Sequence, residues 1–196
     1  AQEPDPSAGT GEGGEQLHDW VFPLEVWRRP HGMEGGEVNA STPVVEEQLA
    51  NVGAEIMGRG KFGPPGGGPW GDDPWQGWWG EDPPFQNPVF VLTHHERKPL
   101  TLSDSTFTFV TDGIESALEQ AQEVAGGKDV LISGGADVIN QYLAAGLVHQ
   151  VALHVVPILL GGGERLFGGV GSDLQLEQLR AVEAPGVAHL KYRVVK

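Results

Sequence analysis

The stretch DVLISGGADVINQYLAAG, residues 129–146, places a short apolar run, two adjacent glycines and a helix-like pattern in direct succession. Residues 130–132 predict a buried strand, and the apolar positions within 138–143 predict one face of a helix that stops at Gly146. The turn Ser133-Gly134-Gly135 between them allows two interpretations. It is either a simple tight turn, or a place where the backbone approaches a phosphate group at a helix N-terminus.

Strands and helices alternate on both sides of this stretch. Strands are predicted at Ala54–Met57, in PVFVLTHH (88–95), in TFTFVTDG (106–113), in VALHVVPILL (151–160) and in VAHLKYRVVK (187–196). Helices are predicted over Val44–Leu49 and over Ile114–Ala125, the second with Asp112 as its N-cap and Gly126-Gly127 at its end. The last strand alternates apolar and polar residues, which predicts a half-buried antiparallel strand near an edge. The pattern as a whole predicts a three-layer α/β/α fold with a mostly parallel central sheet that ends in antiparallel strands.

Composition excludes several classes of function. The chain has 196 residues, of which 39% are hydrophobic and 20% charged, and its net charge is −15. This charge argues against binding to nucleic acid or to an anionic membrane, because both need clustered Lys and Arg. There is no cysteine, so disulfides, thiolate nucleophiles and Cys-type zinc sites are excluded. No secretory signal or membrane-spanning run is found, and the expected location is the cytoplasm.

Four polar turns follow predicted strands or open a predicted helix. They are Gly58-Arg59-Gly60, Thr93-His94-His95, Thr111-Asp112-Gly113 and Ser133-Gly134-Gly135. In open α/β sheets, ligands bind at the carboxyl ends of strands, where these turns are expected. A basic cluster, His94, His95, Arg97 and Lys98, fits a small polyanion, although a solvated loop explains it equally well.

Known short motifs are absent from the chain. The turn at Ser133 lacks the GxGxxG spacing, and there is neither a P-loop nor a GxSxG nucleophile elbow. The seven histidines match no metal-ligand spacing, so no metal site is predicted, and His154 is interpreted as a core or sheet-face residue.

Residues 63–88 are rich in Gly and Pro yet contain Trp70, Trp75, Trp78 and Trp79. Such a loop either packs on the core or lines a pocket, and packing is favoured because proteins mostly use tryptophan for packing. A third hypothesis makes the loop a docking site for a protein partner, which requires Trp75, Trp78 and Trp79 to be exposed.

Five segments in combination resemble the dihydrofolate-reductase-like superfamily. They are MGRGKFG, VFVLTHH, FTFVTDGIESALEQA, DVLISGGADVINQYLAAGLV and VVPILLGGGERLFGG. Within it, the chain is similar to the reductase domain of the bifunctional riboflavin-biosynthesis deaminase/reductase and to its stand-alone bacterial relatives. The resemblance spans most of the chain and implies a dihydrofolate-reductase-like fold. It also implies NADPH as cofactor, and a reaction like that of 5-amino-6-(5-phosphoribosylamino)uracil reductase.

The resemblance implies roles for residues at matching positions. Implied cofactor-binding residues are Gly58, Arg59, Thr93, His94, Arg97, Thr111, Asp112, Ser133, Gly134, Gly135 and Ala136. Implied substrate-side residues are Leu160, Gly161, Gly162, Glu164 and Arg165. No catalytic residue is implied, because the family's first strand and its active-site turn are absent from this sequence.

The expected organisation is a flexible arm over residues 1–16 and a single reductase domain over 17–196, assembled as a homodimer that acts on a small molecule. Two alternatives remain open at this point. One is a nucleotide-binding protein on the same scaffold without turnover. The other is dihydrofolate reductase itself, for which Asp19 and Glu25 are the only candidate carboxylates.

Overall fold

The structure, a computed structural model, describes residues 13–64, 67–72, 74–171 and 173–195, which belong to two compact units. The first unit contains Asn51–Gln141, and the second contains residues 13–50 and 142–195. The predicted arm lies outside the described residues as far as residue 12, and Gly14–His18 form a short 3₁₀ helix. The assignment of 17–196 to a single domain stays a prediction.

The first unit is built on a five-stranded sheet. Its strands are β1 Val52–Gly58, β2 Val89–Leu92, β3 Leu100–Leu102, β4 Ser105–Val110 and β5 Asp129–Gly134. Its helices are α3 Arg59–Phe62, α4 Ile114–Ala125 and α5 Ala136–Ala144, and α5 continues past the end of this unit at Gln141. The strand order is β3-β4-β2-β1-β5. Strands β4, β2, β1 and β5 are parallel, and β3 pairs antiparallel with β4 at the edge.

Apolar runs place the parallel strands inside. Strand β1 is buried at every position except Glu55, and Val89 and Val91 of β2 are fully buried. Helix α4 packs against the sheet and buries Ala117, Ala121 and Ala125, which recur every four residues on one face. The predicted α/β architecture, with a mostly parallel sheet and antiparallel strands, is confirmed.

Two details of the first unit differ from the prediction. Asp112 does not cap α4: the N-cap residue is Gly113, and no side chain caps this helix end. Strand β3 was not predicted, because three residues are too few to show a period. The end of α4 at Gly126, which is left-handed with φ +60°, is as predicted.

The second unit contains a separate antiparallel sheet. Its elements are α1 Glu25–Arg28, α2 Thr42–Ala50, β6 Gln150–Val155, β7 Gln175–Ala184 and β8 Val187–Val195, with a 3₁₀ turn at Arg29–His31. The strand order is β6-β8-β7, so β8 is the central strand. The predicted antiparallel pairing of β8 is confirmed, but its predicted place near an edge is wrong.

Strand β7 escaped prediction because its pattern is broken. The ladder pairs Gln178 with Tyr192 and Arg180 with Lys191, so Leu179 is an extra residue in a bulge. The bulge puts Leu176 and Leu179 three residues apart, which is a helical rather than a strand spacing. Strand β6 ends at Val155, and the rest of the predicted strand, 156–160, is irregular.

His154 and His189 form a hydrogen-bonded pair inside the second unit. Their Nδ1 atoms are 2.7 Å apart, and Trp20 packs against both rings. Ser41 Oγ lies 2.9 Å from His189 Nε2, and Gln48 Oε1 lies 2.9 Å from His154 Nε2. His154 is therefore the sheet-face residue that the sequence predicted.

Candidate functional site

The carboxyl ends of four parallel strands lie side by side along one edge of the first unit's sheet. Val110 of β4 is opposite Leu92 of β2, Leu92 is opposite Gly58 of β1, and Met57 of β1 is opposite Gly134 of β5. The four turns that the sequence singled out therefore follow adjacent strand ends. In spatial order they are 111–113, 93–95, 58–60 and 133–135. Parallel α/β sheets bind their ligands at this edge.

The turn after β5 leads directly into α5, which starts at Ala136. Gly134 has φ +115°, a conformation that residues with a side chain rarely adopt. Beside it, Gly135 is exposed, and a Cβ there would meet nothing within 4 Å. The first amides of a helix have no intrahelical partner, so this turn presents free N–H groups and a positive helix end.

The turn after β1 approaches α5 closely. A Cβ on Gly58 would lie 2.7 Å from Val138 Cγ2, so only glycine fits there. Arg59 follows, and its guanidinium donates to the carbonyl oxygens of Gly63 and Pro64. The Nε of Arg59 is buried and has no partner within the described part of the chain.

An acid on β1, Glu55, and a base on α3, Lys61, lie close to each other and to Ser133 in the turn after β5. Lys61 Nζ donates to the carbonyl oxygen of Ser133 over 2.7 Å. Burial raises the pKa of Glu55, against the opposing effects of the Lys61 charge and a hydrogen bond from Ser133. Burial also lowers the pKa of Lys61, against the charge of Glu55. Both groups are thus biased towards their neutral forms, and Lys61 holds the Ser133 turn in place.

The turns after β2 and β4 carry the remaining predicted residues. Thr93 is buried, and its Oγ1 accepts a hydrogen bond from the His95 amide at 3.2 Å. Thr111 is half-buried, whereas His94 and Asp112 are exposed. The structure thus places the predicted cofactor residues along the carboxyl ends of the parallel strands. Their roles stay predictions.

Two shallow, open grooves flank Arg97 at this edge. The larger, about 440 Å³, is lined by Glu96, Arg97, Lys98, Phe109 and Thr111. The smaller, about 360 Å³, is lined by Trp70, Gly71, Pro74, Glu96, Arg97, Lys98, Pro99 and Leu100. Three of the predicted basic or polar positions, 97, 98 and 111, therefore face open space beside the strand ends.

The tryptophan-rich loop both packs on the core and lines a groove, the two arrangements that the sequence allowed. Trp75 and Trp79 pack against the core cluster of Met57, Phe62, Val89, Val91 and Phe107. Trp70 packs there too, but it also lines the smaller groove. Trp75, Trp78 and Trp79 are half-buried, whereas the docking hypothesis requires them to be exposed, and that hypothesis stays a prediction.

The implied substrate-side residues lie in the second unit, in the irregular segment between β6 and β7. Leu160, Gly161, Gly162, Glu164 and Arg165 are all exposed. Asp19 and Glu25, the candidate carboxylates for a dihydrofolate reductase, also lie in the second unit and are exposed.

Sequence reasoning missed Glu55, Lys61 and Trp70 as parts of the site. A signal existed for Glu55, since a lone carboxylate inside an apolar strand is rarely buried without a partner. No local signal pairs Lys61 with Ser133, because 72 residues separate them. Across the described ranges, no group of three or more His, Cys, Asp or Glu side chains could hold a metal ion.

Residues 29–189 match the RibD C-terminal domain family, and this match covers most of the chain. The chain belongs to the RibD C-terminal domain family. One relative is the uncharacterized protein YyaP of Bacillus subtilis, which is 27% identical over 118 residues. That alignment covers 57% of this chain and 62% of YyaP, so the chain spans less than two thirds of this curated relative.

Solved structures agree with the RibD C-terminal fold. A protein of Shewanella sp. PV-4 assigned to riboflavin biosynthesis superposes with a TM-score of 0.58 at 21% identity, covering 91% of this chain and 88% of that one. Dihydrofolate reductase from Enterococcus faecalis superposes with a TM-score of 0.51 at 14% identity, covering 90% of each chain. At these identities the likeness shows the fold: dihydrofolate-reductase-like, as the sequence predicted.

No helix within the described parts of this family member has the length and apolar character needed to cross a bilayer.

Proposed function

We propose that the protein is an NADPH-dependent reductase of a heterocyclic substrate, with 5-amino-6-(5-phosphoribosylamino)uracil as the model for the substrate class. The observation that carries this proposal is the row of four turns at one sheet edge, which ends at the open turn before α5. Membership of the RibD C-terminal domain family supports the same reading.

The charge distribution supports an anionic cofactor at this edge. The chain has 27 acidic side chains and only 12 Lys and Arg, yet Arg59, Arg97 and Lys98 all lie on the segments that follow β1 and β2. The buried Arg59 Nε has no acceptor among the described residues, and a bound phosphate would supply one. The residues present therefore fit a dinucleotide with several phosphate groups.

When bound, NADPH supplies the hydride that reduces the ring-opened sugar carbon of a ribosylamino-pyrimidine to a ribitylamino product. The chain's own residues would bind the cofactor and orient it. The free amides at residues 135–137 and the end of the α5 dipole favour a diphosphate, and Gly135 leaves room for it. Arg97, Lys98 and Thr111 line the groove in which the adenosine side would lie.

A titration with NADPH, and with NADH beside it, tests the proposal through quenching of tryptophan fluorescence. NADPH is expected to bind much more tightly than NADH. Lys98→Ala removes one charge from the groove. It is expected to weaken the binding of NADPH by about three- to tenfold, with little effect on the binding of NADH. Lys128→Ala is the matched control, since Lys128 is exposed and precedes β5 at the opposite edge of the sheet.

The absence of NADPH binding would contradict the proposal. Binding without oxidation of NADPH in the presence of the uracil substrate would instead favour a nucleotide-binding protein without turnover. Turnover of dihydrofolate in place of the uracil would identify a dihydrofolate reductase.

A further inference from the structure

Two arginines pack on the ring of Trp70. The Cζ of Arg59 lies 3.8 Å from the centroid of the Trp70 ring, and the Cζ of Arg97 lies 4.6 Å from it. Both distances are within the range in which an aromatic face attracts a guanidinium. The two arginines are 38 residues apart in sequence, and Trp70 is the ring on which they meet.

The position of Trp70 is itself held by three contacts. Its Nε1 donates to the carbonyl oxygen of His95 over 2.9 Å, which ties the ring to the segment after β2. Its ring packs edge-on against Phe109, with centroids 5.0 Å apart, and against Phe62, with centroids 5.9 Å apart. The indole is therefore a fixed platform and not a mobile loop side chain.

The two guanidiniums lack acidic partners. Within the part of the chain that the structure describes, neither Arg59 nor Arg97 forms an ion pair with a carboxylate. Burial lowers the pKa of Arg97, and the nearby charge of Arg59 lowers it further. Arg97 also donates to the carbonyl oxygen of Trp75, and its Cζ lies 4.7 Å from the centroid of Phe109. Trp70 is the ring that both guanidiniums contact, so it offsets their mutual repulsion, and the pair favours an anion that both can bind.

We propose that Trp70 is a positioning residue that determines cofactor specificity, because it holds Arg59 and Arg97 together to bind the phosphate that distinguishes NADPH from NADH. This inference rests on the proposed function. It gives the tryptophan-rich loop a role beyond packing: the loop brings one ring to the cofactor edge while Trp75 and Trp79 secure it on the core.

The test compares three variants by calorimetric titration with NADPH and NADH, which does not depend on the removed fluorophore. Trp70→Met keeps an apolar side chain but removes the aromatic face, and the ratio of NADH to NADPH dissociation constants is expected to fall by about tenfold. Trp70→Phe keeps a face and is expected to retain most of the ratio. Trp79→Leu is the control, because Trp79 packs on Phe85 and Phe107 and contacts neither arginine.

The outcomes separate this inference from the proposed function. If the unmodified protein binds neither cofactor, the proposed function itself fails. If it prefers NADPH and Trp70→Met keeps the full ratio, the proposed function stands and the role of Trp70 is overturned. If circular dichroism shows that Trp70→Met does not fold, Arg97→Lys in the intact loop takes its place. That variant keeps the charge but loses the stacked plane, so an unchanged ratio would again overturn the inference.

Discussion

At the scale of single residues, the close approach of β1 to α5 depends on Gly58. Its backbone, with φ −85° and ψ 158°, is one that any residue can adopt. The need for glycine therefore comes from contact alone, namely the 2.7 Å between a Cβ at this position and Val138 Cγ2. Val138 is buried and stiff at χ1, so it cannot simply turn away.

Gly58→Ala is expected to lower the free energy of unfolding by about 1–3 kcal/mol, the usual cost of an overpacked site. Urea denaturation of the cofactor-free protein measures this. Gly60→Ala, two residues on, is the control, because a Cβ there meets nothing within 4 Å. Adding Val138→Ala to Gly58→Ala should restore part of the loss, and equal losses in single and double variants would refute the contact as the cause.

At the scale of elements, β6 and β8 are joined by a chain of hydrogen bonds that requires His154 to be neutral. The amide oxygen of Gln48 can only accept, so His154 Nε2 donates to it and a neutral His154 is left with Nδ1 as the acceptor from His189 Nδ1. Ser41 Oγ, 2.9 Å from His189 Nε2, can donate to that nitrogen or accept from it. Protonating His154 would place a second proton between the two Nδ1 atoms. Burial first, and the charge of His189 second, lower the pKa of His154 from 6.5 to about 4.

The protein is therefore expected to lose stability in acid through this pair. The unfolded chain takes up a proton at His154 near pH 6.5, whereas the folded chain does so only near pH 4. The stabilisation is complete above pH 6.5 and is lost as the pH falls towards 4. At about 1.4 kcal/mol per pKa unit, the loss is on the order of 3 kcal/mol at most.

Urea unfolding at pH values from roughly 7.5 down to roughly 4 checks this expectation, because this range covers the pKa of His154 in both the unfolded and the folded chain. His154→Gln should flatten the dependence on pH, and His149→Gln, at an exposed position in the same unit, should leave it unchanged. Burial, and then the charge of Arg180, also lower the pKa of His189, so some dependence will remain in His154→Gln. An equal slope in His154→Gln and the unmodified protein would contradict the assignment.

At the scale of the whole molecule, we propose a homodimer. The second unit's sheet leaves Leu176, Leu179 and Val195 between 37% and 38% exposed, and β7 is an outer strand of that sheet. Light scattering is expected to give about twice the chain mass of 20.9 kDa. Leu179→Lys should shift the protein towards the monomer, whereas Leu49→Lys, at an exposed leucine of α2, should not. A monomer at every concentration would refute this proposal.

The sequence by itself determined the local elements and their order. Apolar runs and periodicity located β1, β2, β4, α4, β5 and α5, and the parallel topology then required their polar turns to share one edge. The pairing of Ser133-Gly134-Gly135 with a helix start could be seen because every residue involved is a neighbour in sequence. Local patterns are sufficient for such features, since strand and helix periods repeat within a few residues.

Only the tertiary structure decided which distant side chains meet. Lys61 and Ser133, Trp70 and its two arginines, and His154 and His189 are each brought together by strand register or by the packing of an irregular loop. Neither strand register nor loop packing produces a periodic pattern in the sequence. The same reason hid β7 and the central place of β8, because a bulge changes the period and strand order depends on long-range pairing.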